Sequence, residues 1–270
     1  MNYESFAVSI ENNVAHVTIN RPEKANAIHQ KAWEELQAIF ENLDTDETVR
    51  CIVLSGEGKH FCAGIDLNLL MSLHQIIHHE CEGRKREKLR QTILKLQASI
   101  NAIERCSKPV LAAIHNGCIG AGVDIIAACD MRYATKDAYF CVKEIDMGMV
   151  ADMGTLQRLP KIIPYGIASE MAFTGRKVSG EEAKGFHLVN QTFENKDVLL
   201  EQVLQIAQLI ASKSPISIRG SKHVLQYSRD HSVADSLSYM ATWNSSMLLS
   251  KDLMEAFEAK LSARPPKYID

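Results

Sequence analysis

Two short apolar runs, Cys51–Leu54 and Val110–Ile114, are each followed by a glycine-containing corner and then by helical periodicity. This repeated strand–corner–helix unit constrains the fold more than any other feature. Strands alternating with helices predict an α/β layer architecture. The corners read His60-Phe61-Cys62-Ala63-Gly64-Ile65-Asp66 and His115-Asn116-Gly117-Cys118-Ile119-Gly120-Ala121-Gly122-Val123-Asp124. Small residues let a ligand approach the backbone closely. A helix beginning near Ala121 would aim free N–H groups and the positive end of its dipole at that ligand. Two amides from separate corners can converge on one oxygen and stabilise an enolate. From the glycine pattern alone, tight helix–strand packing is the favoured reading over a ligand site.

The rest of the chain fits around these corners. Phe6–Ile10 and Val14–Ile19 flank Asn12-Asn13 and predict a hairpin. Trp33, Leu36, Phe40 and Leu43 recur at helical spacing across residues 29–44. Residues 66–105 read as largely helical, with the polar stretch Cys81–Arg90 as a mobile insert. Met131–Ala134 and Tyr139–Val142 are further strands. From about residue 152 the pattern turns mainly helical, punctuated by Pro160, Pro164 and Gly175. Ser179-x-x-Glu182 is a capping-box start, and residues 197–262 show amphipathic helices without strands. The expected division is a core over residues 1–200 that holds the site and a helical region over 201–270. Leu237, Tyr239, Met240, Trp243, Met247 and Leu248 are more apolar surface than a lone helical extension needs. The tail should therefore pack on a neighbour or fold back.

Composition narrows the function. The net charge is -3 with no basic block, which argues against nucleic acid as a partner. No apolar run approaches the roughly 20 residues that span a bilayer. The seven cysteines are odd in number and contain no C-x-x-C pair, so reduced thiols in the cytoplasm are expected rather than a zinc or disulfide framework. Residues 1–5 lack an apolar or Arg-rich leader, and the chain ends Tyr268-Ile269-Asp270 rather than Ser-Lys-Leu, which agrees with a cytoplasmic expectation. His74 and His78 have i,i+4 spacing, but no acid or cysteine pattern completes a metal site. The second corner reads G-x-x-G-x-G rather than the dinucleotide fingerprint, and neither a P-loop nor a nucleophile elbow is present.

Three acids sit in apolar sequence: Asp124, Glu144 and Asp152. A carboxyl in such a place either pairs or caps, or acquires a raised pKa suited to proton transfer. Asp152 could cap the helix that runs into Thr155–Leu159. Asp66 and Asp130 read as packing or capping groups. Asp146, two residues from Glu144, would face away on an extended segment. Arg84–Lys88 reads as a solvated surface.

Together these pieces resemble the crotonase (enoyl-CoA hydratase/isomerase) superfamily along nearly the whole chain. The matching stretches are Asn20–Ala27, Phe61–Asp66, Gly117–Gly122, Asp130–Ala134 and Gly154–Pro160. Gly117–Asp124 and Lys143–Gly154 look most like the Δ3,5-Δ2,4-dienoyl-CoA isomerases, which carry three acids at these positions. Plain hydratases typically have Glu at position 124 and Gly at position 152.

The resemblance implies a spiral of ββα units with a C-terminal helical region used in trimer formation, and a homotrimer or a dimer of trimers. It implies an acyl-CoA thioester substrate and no separate cofactor, coenzyme A being part of the substrate. It implies conversion of 3,5-dienoyl-CoA to 2,4-dienoyl-CoA in fatty acid β-oxidation, with hydration of 2-enoyl-CoA as the alternative. The backbone N–H groups of Ile65 and Ala121 would form an oxyanion hole, with Ala121 standing where Gly is usual. Glu144 would be the C2 base and Asp152 the C6 acid, kept neutral by Met147, Met149, Val150 and Met153, with Asp124 as a third, polarising carboxyl. Lys24, Ala25, Ala27, Ala63, Gly64 and Gly120 would line the path of the coenzyme A moiety.

Overall fold

The computed structural model describes residues 3–270, apart from the side chains of residues 73, 74 and 76. Strands β1 (Phe6–Glu11) and β2 (Val14–Ile19) form the expected antiparallel hairpin. Its turn residues Asn12 and Asn13 have φ of 50° and 62°, the double left-handed conformation that matches strand twist. β2 then pairs in parallel with β3 (Cys51–Gly56), β3 with β4 (Val110–Ile114), β4 with β5 (Met131–Thr135), and β5 with β6 (Gln191–Phe193).

Both faces of this six-stranded sheet are covered. On one side α1 (Gln30–Thr45) and α2 (Glu82–Arg105) supply Leu36, Phe40, Ile100 and Ile103 against Ile52 and Leu54. On the other, α3 (Lys196–Ala211) supplies Leu199, Val203, Ala207 and Ala211 against Cys51, Val53 and Leu111. Alternate residues of β3 thus enter different cores, which is why that strand reads as a continuous apolar run.

A second, three-stranded sheet is built from β7 (Gly117–Ile119), β8 (Tyr139–Cys141) and β9 (Val178–Ser179). The corner after β3 lies beside β7 through a parallel bridge between Cys62 and Cys118. A further bridge pairs Ile28 with Ile65. These two bridges bring the glycine corners together. The short helix α4 (Ala121–Ala127) begins at the expected residue. α5 (Thr155–Ile162), α6 (Tyr165–Thr174) and α7 (Gly180–Gly185) follow, and the Ser179 hydroxyl accepts the Glu182 N–H at the start of α7.

Two expectations are corrected. The polar stretch read as an insert is continuous with the helix that follows: Glu82–Arg90 form the opening turns of α2, and α8 (Leu67–Ile76) precedes it. Lys, Arg and Glu are good helix formers, and a helix face turned to water resembles a loop in polarity alone. The region after residue 152 also contains β9 and β6, of two and three residues, too short for any periodicity to reveal.

The C-terminal helices α9 (Pro215–Ser228), α10 (Val233–Met247) and α11 (Lys251–Leu261) fold back on the core. The buried Lys222 pairs with Asp130 at 2.7 Å and donates to the Lys108 carbonyl at 2.9 Å. Arg50 donates to the Tyr268 carbonyl, and Arg219 pairs with Asp270. Trp243 of α10 lies against Gly220 of α9, and Tyr227 stacks on Tyr239. Leu237, Met247 and Leu248 nonetheless stay exposed.

Candidate active site

Asn26 organises the first corner. Fully buried and in the left-handed region, it donates through Nδ2 to the carbonyls of Glu57, His60 and Phe61 at 2.8, 2.7 and 3.2 Å. Its Oδ1 accepts the Arg21 N–H. Arg21 in turn donates to the Ala27 carbonyl and pairs with Asp66, which caps the start of α8 by accepting the Asn68 N–H. The Ala63 N–H donates to the Ala25 carbonyl. The Ala25–Ala27 segment is thereby fastened along the corner.

The two corners touch at their glycines. Gly64 has φ of +100°, and a Cβ placed there would lie 3.1 Å from the Ile119 carbonyl oxygen and 3.7 Å from the Ala121 nitrogen. Ile28 N–H and Gly64 carbonyl, and Asp66 N–H and Ile28 carbonyl, are paired around Ile65. Val123 and Asp124 donate back to the Gly120 carbonyl. Among the described residues, neither the Ile65 nor the Ala121 N–H finds an intramolecular acceptor. Two free backbone donors therefore sit at adjoining corners, one of them at the first position of α4.

The acids surround this point. Gly120 donates to the Cys141 carbonyl, which lays the end of β8 over the second corner. Glu144 opens a single turn of 3₁₀ helix, Glu144–Met147. Its Oε1 lies so close to Gly120 that a Cβ there would approach it to 3.1 Å. Its Oε2 is buried and, among the described residues, without a partner. Burial first, then the nearby Asp124 and Asp152, push the Glu144 carboxyl up to about 7.

Asp124 is buried on α4. Its carboxylate accepts the backbone N–H and the hydroxyl of Thr155. Burial raises it to about 6 against the pull of those two bonds, with Asp152 adding to the rise. Asp152 is the most open of the three to solvent, yet partial burial of its carboxyl still raises its pKa. Its main-chain carbonyl accepts from Gln97 Nε2 at 2.6 Å. The alternative reading of Asp152 as the cap of α5 is not met: Asp124 reaches Thr155 from across the fold.

All three acids, Ile65 and Ala121 line one cavity of about 380 Å³. The remaining wall is mainly apolar and includes Trp33 of α1 and Leu89, Ile93 and Leu96 of α2. Met149, Val150 and Met153 line it as anticipated, whereas Met147 is exposed outside it. Lys24, Ala25, Ala27, Ala63, Gly64 and Gly120 lie outside this lining, with Lys24 exposed. Asp146 points away from Glu144 and pairs with Lys143, though on a 3₁₀ turn rather than an extended segment. The α2 wall was missed in the sequence. Its signal was there, because Leu89, Thr92, Ile93 and Leu96 follow the i, i+3, i+4, i+7 stripe. The His74/His78 pair falls outside the described residues at His74.

Such a site can abstract and return protons beside a carbonyl oxygen. A carboxyl near 7 is matched to neutral pH as a base, and apolar walls strengthen every charge interaction inside.

Residues 9–270 match the family model described as Enoyl-CoA hydratase/isomerase. The chain is 49% identical over 259 residues to the peroxisomal Delta(3,5)-Delta(2,4)-dienoyl-CoA isomerase of Arabidopsis thaliana, covering 96% of this chain and 93% of that protein. It is 47% identical over 261 residues to the mitochondrial Delta(3,5)-Delta(2,4)-dienoyl-CoA isomerase of Homo sapiens, covering 95% and 79%. Its fold matches a crystal structure of an enoyl-CoA hydratase from Bacillus anthracis with a TM-score of 0.89, at 28% identity and 98% and 99% coverage. The α/β spiral with its helical C-terminal region stands. The cytoplasmic placement is overturned, since these relatives are peroxisomal and mitochondrial proteins. Free cysteines misled there: six of the seven are buried and report core packing rather than compartment.

Proposed function

As the chain belongs to the enoyl-CoA hydratase/isomerase family, we propose that it converts 3,5-dienoyl-CoA to 2,4-dienoyl-CoA. The observation that carries this reading is the single apolar cavity lined by three carboxyls and by Ile65 and Ala121. A 3,5-dienoyl thioester loses a C2 proton readily because the charge spreads to its carbonyl oxygen. The N–H groups of Ile65 and Ala121 receive that oxygen. Glu144 takes the C2 proton, its raised pKa matching it to the task. Asp152, whose carboxyl burial raises above its usual range, returns a proton at C6. Asp124 holds the pair in register and raises Glu144 by its charge.

The coenzyme A portion runs past Lys24, Ala25, Ala27, Ala63, Gly64 and Gly120. That path is supported by the fastening of residues 25–27 along the first corner. The chemistry needs no cofactor beyond the substrate's own coenzyme A, so exhaustive chelation should leave the rate unchanged.

The exposed apolar residues of α10, α11 and the link between them, among them Leu237, Met247, Leu248 and Phe257, support a homotrimer or a dimer of trimers. Light scattering on a size-exclusion column would detect it, and a monomeric mass would end that proposal.

The activity test offers purified protein 3,5-dienoyl-CoA and 2-enoyl-CoA in parallel. Growth of the 2,4-dienoyl ultraviolet chromophore is the expected result. Loss of the enoyl chromophore with no dienoyl growth would make the protein a hydratase instead.

A further inference from the structure

Asp152 belongs to two cavities. On one side it lines the apolar cavity of about 380 Å³. On the other it lines a separate, polar cavity of about 390 Å³. The polar wall includes Gln97, Asn101, Glu104, Gln157, Arg158 and Lys161. Of the residues that line the polar cavity, only Asp152 and Met153 also line the apolar one, so they form the partition. The far wall is braced: Arg158 donates to Asn101 at 2.7 Å and to Glu104 at 2.6 Å. Gln97 fixes the partition by its bond to the Asp152 carbonyl.

This inference rests on the isomerase reading and concerns how the site resets. One turnover breaks C2–H and leaves that proton on Glu144. The electron pair of the dienolate then forms C6–H with the proton of Asp152. The enzyme ends with Asp152 ionised and Glu144 protonated, while an apolar chain fills the cavity between them. We propose that the polar cavity is the route by which solvent water reprotonates Asp152, so that the C6 hydrogen originates in water and not at C2. Glu144 returns its own proton to solvent once product leaves, and the net reaction remains an isomerisation. A polar cavity of this size accommodates several waters with partners on its walls, whereas the apolar one offers them few.

The test is to run the wild-type reaction in D₂O and locate deuterium in the product by NMR. Deuterium at C6 from the first turnovers is expected. Gln157→Phe fills the polar cavity from an exposed position of α5 that does not line the apolar one. It should lower kcat about tenfold with KM unchanged, and divert part of the C2 hydrogen to C6, while Gln157→Ala, which leaves the cavity open, should keep the C6 hydrogen coming from water. Hydrogen arriving at C6 undiluted from C2 in wild type would overturn the inference. So would full C6 labelling and an unchanged kcat in folded Gln157→Phe. If wild type formed no 2,4-dienoyl product at all, the isomerase reading itself would fall, an outcome distinct from both. The wild-type labelling result stands whether or not the variants fold.

Discussion

The carboxylate of Asp124 accepts two hydrogen bonds from Thr155, one from the backbone N–H at 2.7 Å and one from the hydroxyl at 2.6 Å. The same group caps the first turn of α5 and lines the same cavity as Glu144. Burial drives its pKa up and Thr155 restrains it at about 6. It is therefore mostly ionised at neutral pH, and its charge is one reason why Glu144 titrates near 7.

Asp124→Asn should move the acidic limb of kcat/KM to lower pH. With Glu144 as the proposed base, that limb reports its deprotonation in the free enzyme. Removing the neighbouring charge lowers the Glu144 pKa, while burial, the larger cause, remains. A shift of about half to one pH unit is expected. The amide oxygen can still accept the Thr155 N–H, so α5 keeps its cap. An unmoved limb would show that the two carboxyls do not communicate.

Glu144→Gln should lower the isomerisation rate by about 10²–10⁴-fold, the usual worth of a positioned base. It should also stabilise the fold at alkaline pH. The Glu144 pKa rises from 4.5 to about 7 on folding, so the folded chain holds a proton that the unfolded chain releases within that window. Stability therefore falls as pH rises from about 4.5 to 7. Glutamine escapes that loss. At pH 8 the variant should be more stable by on the order of 2 kcal/mol, after discounting for partial exposure, and at pH 4 it should match wild type. Urea unfolding at both pH values reads the difference.

Asp152→Asn should separate the two ends of the reaction. Isomerisation should fall by about 10²–10⁴-fold. Exchange of the substrate's C2 hydrogens with D₂O should continue, because Glu144 and the two backbone donors remain. If C2 exchange vanished while Glu144→Gln retained it, the assignments of the two acids would have to be reversed.

Gly154→Ala should destabilise the protein by about 2 kcal/mol or more. Gly154 has φ of +124°, and an added Cβ would lie 1.8 Å from Arg158 Nη1. That guanidinium cannot swing away cheaply, because Glu104 and Asn101 hold it. Thermal unfolding checks the loss, and a Tm equal to wild type would mean the loop relaxes without cost.

The glycine corners and the three acids could be read from sequence because each depends on local chemistry: small residues where backbones approach, and carboxyls stranded in apolar runs. The capping of α5 could not. Asp152 is near Thr155 along the chain, but Asp124 reaches it through the fold. The role of Asn26 was equally hidden, since its three carbonyl partners all lie beyond residue 56. Strand β9 was missed because two residues cannot display a period, and the opening turns of α2 because their charge imitates a loop. What sequence hides here is long-range pairing, and what it reveals is local preference.

The bridge between Cys62 and Cys118 joins chain segments that leave the ribosome far apart in time. A nascent or truncated chain that ends before β7 owns the Ile65 donor but not its counterpart on Ala121, and so holds half of the proposed anion receptor. Return of turnover during refolding would then clock the meeting of those two segments, and hairpin closure or general collapse would pass unseen in the same assay.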